Sequence, residues 1–234
     1  LSNDVFDSDT GIDINKRHSL VNLTGNRQLI FWLGNCFLSL GLLGILFISW
    51  WQKDLTLIGI ILLCCGLGYL YQGPPFRLGY KGLGEILCFF AFGPLGVSAG
   101  YYSQTQSWSL TSLAASIIVG VATTLILFCS HFHQVKDDLA AGKLSPIVRL
   151  GTERGSKVLN LATGSIYAFI LLFVICGIFS PWTLLSWFSL PFAFKLCNHV
   201  AQNHNQPLKV SNSKFIAIAV QFWCCLLLGI GFVL

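Results

Sequence analysis

Charge is scarce in this chain. Only 10% of its 234 residues are Asp, Glu, Lys or Arg, against about 25% in an ordinary soluble domain. Hydrophobic residues make up 54%, and mean hydropathy is +0.71. So few charges cannot cover a water-facing surface, which excludes a soluble globular protein. Methionine is absent, and the chain opens on Leu1. Translation starts on methionine, so the expectation is that an N-terminal part precedes Leu1. Lys16-Arg17 does not begin a signal peptide, because acids precede it and no small-residue cleavage site follows its apolar run. The nine cysteines contain no C-x-x-C spacing and lie mostly inside apolar runs. They read as small packing residues rather than disulfide partners or metal ligands. At this length a single domain is expected.

What is present is a series of long apolar runs. A bilayer core takes about 20 apolar residues per helix. Seven runs qualify as candidate spans: 29–51, 55–71, 84–102, 108–129, 158–179, 181–195 and 215–234. The sixth is short, and Lys195 can snorkel if the helix extends to Cys197. Trp50-Trp51, Tyr101-Tyr102 and Trp108 stand at run ends, as interfacial anchors do. The pattern predicts an all-α, multi-pass transmembrane helical bundle. If the loops alternate sides, every Lys and Arg except Lys53 falls on one side. By the positive-inside rule that side is cytoplasmic or its equivalent. Every acid except Asp54 falls there too. One face thus carries both signs of charge, which suits an active face better than an orientation signal alone.

Four of the nine acids crowd into ten positions: Asp4, Asp7, Asp9 and Asp13. Asn3 and Asp7 are four apart, and Asp4 and Asp7 three apart, so all three share one face of a helix. Gly11 suits the stop of that helix. By itself the stretch reads either as a solvated acidic loop or as half of a hard-cation site. Mg²⁺ takes oxygen ligands and usually shares them with substrate phosphates. A second acidic stretch, 131–143, follows the fourth run on the same side. If it is helical, Gln134 and Asp138 share one face, and His133 and Asp137 another. A diphosphate carried on Mg²⁺ fits between two such helix ends.

The loop from Tyr71 to Glu85 is rich in glycine and bent by Pro74-Pro75. Its Arg77 and Lys81 can neutralise phosphate oxygens, as can Lys143 and Arg149. Ordinary positive-inside decoration accounts for the same four charges. His131 and His133 have no Cys or third His at zinc-like spacing, which leaves hydrogen bonding to substrate or helix-end packing. Aromatic residues are 14% of the chain, and their π faces can line a cavity that holds a cation.

Together the three blocks resemble the UbiA superfamily of membrane prenyltransferases. Within it they are most similar to the naphthoate prenyltransferase (MenA) branch, in its cyanobacterial and plastid form. The residues that carry this are 2–13, 74–85 and 131–151, and the resemblance extends over essentially the whole chain. It implies nine transmembrane helices around a lipid-accessible chamber, two of them before Leu1. The family's first motif, Asn-Asp-x-x-Asp-x-x-x-Asp, is matched by Asn3, Asp4 and Asp7. Gly11 departs at its last position, where Asp9 or Asp13 is the candidate substitute. The second motif, Asp-x-x-x-Asp, is matched by Asp138, with Gln134 in its first place and Asp137 the candidate for the missing charge.

The resemblance also implies the site. Asn3, Asp4, Asp7, Asp137 and Asp138 would hold Mg²⁺, and Asp4, Asp7, Asp138 and Lys81 would carry catalysis. Tyr71, Arg77 and Lys81 match the family's loop residues that contact the diphosphate. By their charge Lys143 and Arg149 are expected to join them, and His131, His133 and Gln134 are the candidates for binding the acceptor. The implied reaction moves a prenyl group, phytyl or longer, from its diphosphate to a 1,4-dihydroxy-2-naphthoate or 2-carboxy-1,4-naphthoquinone acceptor, with loss of CO2. It belongs to phylloquinone or menaquinone synthesis in a bacterial inner or thylakoid membrane. The enzyme rival is a related transferase acting on homogentisate or a chlorophyllide. The other rival is an ion-coupled transporter, but transporters place ionisable groups near the bilayer midplane. Here the runs hold almost none.

Overall fold

A computed structural model of the chain describes residues 1–12 and 19–234. Asp13, Lys16 and Arg17 lie outside the described residues. In lipid, backbone N–H and C=O groups have no partners but each other, so apolar runs fold as helices. The order is α1 (Ser2–Ser8), α2 (Leu20–Thr24), α3 (Arg27–Gln52), α4 (Thr56–Gln72), α5 (Gly84–Thr105) and α6 (Leu110–His131). Then come α7 (Val135–Ala140), α8 (Pro146–Leu150), α9 (Thr152–Ile175), α10 (Leu190–Asn203), α11 (Pro207–Val210) and α12 (Ser213–Val233). No strand occurs among the described residues.

Among the described residues, five helical stretches are long and apolar enough to cross a membrane: α3, α5, α6, α9 and the run Pro207–Val233 that contains α12. The α4 helix is apolar but has 17 residues. The sixth run is not one α-helix. It opens as a 3-10 helix over Pro181–Ser189 and becomes α10 only at Leu190. Pro191 cannot donate a helical hydrogen bond, so it is tolerated only in the first turn of an α-helix.

The centre of the bundle is α6, half of whose crossing window is buried. Ser109 caps it, accepting from Ser112 N at 3.3 Å. Against α6 lies α5, whose middle widens into a π-turn at Ala91–Leu95 around Pro94. Through that turn Gly93 meets Gly120 of α6. A Cβ on Gly93 would lie 2.6 Å from Ser116 O and 2.8 Å from Gly120 Cα. Glycine therefore lets two backbones touch, as small residues do where membrane helices cross. Around α6 the core is apolar, with Ile118, Leu125, Leu159, Ile166 and Val220 fully buried or nearly so. Cys129 and Cys224 are part of it, consistent with packing roles, whereas Cys36 and Cys176 are exposed.

The outside is equally apolar. Trp32, Phe37, Leu40, Leu43 and Phe47 of α3 are exposed. A patch of that size is untenable in water and natural against lipid, so the protein is an integral membrane protein. At one end of the bundle α1, the 73–83 loop, the 132–151 segment and the start of α12 converge. At the other end Tyr102 OH donates to Asp54, and Gln52 Nε2 donates to Ser103 O at 2.7 Å. Those bonds tie the α3–α4 turn to the end of α5.

Candidate active site

The first wall of the site is α1. Its helical spacing sets Asn3 beside Asp7, and Asn3 Nδ2 donates to Asp7 Oδ2 at 2.9 Å. Asp7 is buried. Its other oxygen, Oδ1, accepts from Tyr80 OH at 3.0 Å. That hydroxyl also lies 2.6 Å from Thr10 Oγ1. The Tyr80 phenol is raised above its ordinary value. Burial is the main cause, the Thr10 bond pulls it back, and the Asp7 charge adds to the rise. It therefore remains a protonated donor to Asp7.

The second wall follows α6. The chain leaves helical geometry after His131 and re-enters it at Val135. The break turns Asp138 back onto His131, with His131 Nδ1 3.1 Å from Asp138 Oδ2. On its other side His131 Nε2 stands 3.3 Å from Glu85 Oε1 of α5. Lys143 Nζ lies 3.6 Å from Asp138 Oδ1. Asp138 has no exposed surface and Lys143 is buried. Burial pushes the Asp138 carboxyl up, but the His131 bond and the Lys143 charge outweigh it and hold the group below the usual carboxylate range. Burial first, then the nearby Lys214 and His131, lower His133, which stays neutral.

Both walls face one polar cavity of about 320 Å³. Asn3, Asp7, Tyr71, His131, His133, Gln134, Asp137, Asp138 and Lys143 all line it. Adjacent helical positions point about 100° apart. The cavity nevertheless meets the first turn of α7, and both Asp137 and Asp138 reach it. A second, largely apolar cavity of about 540 Å³ adjoins it, lined by Phe6, Leu67, Leu87, Phe92 and Ile126 among others. Asn3, Tyr71, Gln72, Leu127, Ser130 and Lys214 line both cavities. The pair is thus a polar basin over an apolar chamber, joined at a neck.

Several expected residues stand elsewhere. Asp4 is not among the described residues lining either cavity, and its Oδ2 accepts from Leu20 N at 3.0 Å, anchoring α2. Asp9 pairs with Arg27 at 2.7 Å on the surface and is not among the described residues lining either cavity. Arg77, Lys81 and Arg149 line neither cavity. Lys81 is exposed, and its carbonyl accepts from Arg149 Nη2 at 2.6 Å. Arg149 thereby joins the 73–83 loop to α8 instead of facing the basin. Leu144 N donates to Tyr80 O at 2.7 Å across the same seam. Gly82 makes the seam possible, with φ +76 and no side chain where a Cβ would meet Leu144 O at 2.5 Å.

Sequence reasoning did not assign Tyr80, Glu85 or Lys214 to the site. Tyr80 and Glu85 lie in the block that carries the resemblance, but only the fold shows what they touch. Lys214 counted merely as a loop charge, although its place at the start of the last apolar run was a usable signal.

Mg²⁺ is the group the resemblance implies, and the donor set suits it. Asn3, Asp7, Asp137 and Asp138 offer hard oxygen atoms from two sides of the basin. Asp138 Oδ1 is buried and accepts no hydrogen bond among the described residues. Those residues hold no cluster of three His, Cys, Asp or Glu groups set to bind a metal alone.

Fold and site define a helical membrane protein with an acidic basin at one end, opening into an apolar chamber. The chain belongs to the UbiA prenyltransferase family, whose model matches residues 1–230. Over 233 residues it is 56% identical to the 2-carboxy-1,4-naphthoquinone phytyltransferase of Synechocystis, covering 99% of this chain and 76% of that one. The chloroplastic enzyme of the same description from Arabidopsis thaliana is 39% identical, over 100% of this chain and 63% of its own length. The 1,4-dihydroxy-2-naphthoate octaprenyltransferase of Bacillus subtilis is 24% identical, over 66% of this chain and 48% of that one. A solved structure of digeranylgeranylglyceryl phosphate synthase shares the fold with a TM-score of 0.62 and 17% identity. It covers 99% of this chain and 79% of that one.

Proposed function

We propose that the protein transfers a phytyl group from phytyl diphosphate to a 2-carboxylated naphthoquinol or naphthoquinone, with loss of CO2. The observation that carries this is the pair of carboxylate walls, Asp7 and Asp138, facing one basin above an apolar chamber. The descriptions of the Synechocystis and Arabidopsis relatives favour this acceptor over homogentisate or a chlorophyllide.

The diphosphate lies in the basin between the walls, and the isoprenoid tail in the apolar chamber. Carboxylates alone repel a diphosphate, so Asn3, Asp7, Asp137 and Asp138 would act by holding Mg²⁺. When bound, Mg²⁺ neutralises the negative charge that grows on the leaving group. Lys143, beside Asp138, adds a positive charge within the basin, and Tyr71 orients the diphosphate at the neck. As the C–O bond breaks, the allylic cation forms next to the apolar walls, which exclude water. The ring carbon bearing the carboxylate forms the new C–C bond. Its bond to the carboxylate then breaks, returning an electron pair to the ring as CO2 leaves. No general base at that carbon is required. We place the basin on the cytoplasmic face, on the strength of the basic loops around it.

Purified protein given phytyl diphosphate and each acceptor in turn tests the reading. Prenylation of the naphthoate, with release of one CO2 per product, is expected. Prenylation of homogentisate or a chlorophyllide in its place would overturn it.

A further inference from the structure

We propose that Lys214 receives the carboxylate of the aromatic acceptor at the neck between the basin and the apolar chamber. This rests on the reading that the second substrate is an aromatic acid. Three carboxylates, Asp7, Asp137 and Asp138, line the basin. An anionic ring entering it is repelled unless a cation faces it. The described lining supplies two ammonium groups, Lys143 and Lys214. Lys143 stands 3.6 Å from Asp138, on the wall assigned above to the diphosphate. Lys214 makes no ion pair among the described residues, and its ammonium lies over the Phe215 ring, 5.2 Å from the centroid.

Position then decides which substrate it serves. An aromatic acid joins an apolar ring to one charged group, and the neck is where apolar and polar linings meet. There Lys214 stands with Leu127, Tyr71 and Ser130, bordering both cavities. The ring can rest against Leu127 while its carboxylate reaches the ammonium. His133 Nδ1, on the basin side, is buried and unbonded among the described residues, and so can serve the same carboxylate. Lys214 also sits in the first turn of α12, where unpaired N–H groups add positive potential. Ser213 Oγ donates to Cys129 O at 3.4 Å, fixing that turn against the end of α6. Lys214 thereby selects carboxylated rings and sets their orientation.

The test is equilibrium binding to purified protein in nanodiscs, with 1-hydroxy-2-naphthoate as the acid and 1-naphthol as its uncharged counterpart. Neither needs turnover, so the result stands apart from the proposed reaction. That reaction fails separately, if wild type makes no prenylated naphthoate. Lys214→Gln should weaken acid binding roughly tenfold or more and leave 1-naphthol unchanged. Lys214→Arg should keep most of the acid affinity, and the KM for the prenyl diphosphate should hold in both variants. Unchanged acid binding in Lys214→Gln would overturn the proposal, as would equal loss of both ligands. A raised KM for the diphosphate, or no binding of the acid by wild type, would overturn it too.

Discussion

Replacing Tyr80 by Phe removes one oxygen atom and leaves the ring in place. That oxygen donates to Asp7 Oδ1 at 3.0 Å and sits 2.6 Å from Thr10 Oγ1. The ring, 5.8 Å from Lys143 Nζ, keeps its packing. The perturbation therefore removes the hydrogen bond to a buried carboxylate together with the Thr10 contact. A bond to a charged group contributes about 1.5–3 kcal/mol. Asn3 still holds Asp7 Oδ2, so the carboxylate stays in the wall but loses its fixed angle. If that angle matters only when Mg²⁺ and diphosphate are bound, the loss appears as a fall in kcat of roughly 10- to 100-fold. The Mg²⁺ concentration for half-maximal rate should rise with it. The assay is prenyl transfer across a Mg²⁺ titration, with thermal unfolding in detergent as the control for folding. Tyr80→Phe with wild-type kcat and wild-type Mg²⁺ dependence would refute the reasoning that Tyr80 orients the first wall.

Asp138→Asn removes the anion from a buried cluster and leaves Lys143 unpaired, which should cost about 3–5 kcal/mol of stability at neutral pH. Because the folded-state pKa of Asp138 is depressed, its contribution is present above the unfolded value, about 3.9, and is lost as pH falls through the folded one. Unfolding temperatures recorded from pH 7 down to 3 should show the wild type losing this advantage below about pH 4. The Asn variant lacks the step, and parallel curves would contradict the assignment. Gly82→Ala should lower the unfolding temperature and the activity together, since φ is +76 and the new Cβ meets Leu144 O. Gly142→Ala, with φ +69 but open space around it, should do less, which the same melting experiment compares.

Composition was enough for the class, because 10% charge cannot clothe a soluble fold. The apolar runs were legible as helices wherever their length matched a bilayer. The sixth was not, since it breaks beside Pro191 into a 3-10 stretch and an α-helix. Charge alternation brought Asp7, Asp138, Lys143 and Lys214 to one end before any coordinates were known. It could not tell which charges face inward. Arg149 and Lys81 are as basic as Lys143, yet neither lines the basin, and Arg149 instead bonds the Lys81 carbonyl across a seam. That choice depends on a tertiary contact at Gly82, to which local sequence is blind. The same holds for Asp4, whose helical face suited a ligand but whose carboxylate anchors α2. Tyr80 went unassigned because a phenol 73 residues from its partner leaves no spacing signal.

In the proposed reaction two carboxylate walls, one from α1 and one from α7, jointly hold the diphosphate. That joint hold is tested most directly by release of labelled CO2 from a carboxyl-labelled naphthoate, in the presence of phytyl diphosphate and Mg²⁺. Wild type is compared with Asp7→Ala and Asp138→Ala, both checked for membrane insertion. Each substitution alone is expected to lower release by about a thousandfold or more, roughly 4 kcal/mol of transition-state stabilisation. Near-wild-type release from either inserted variant would contradict it.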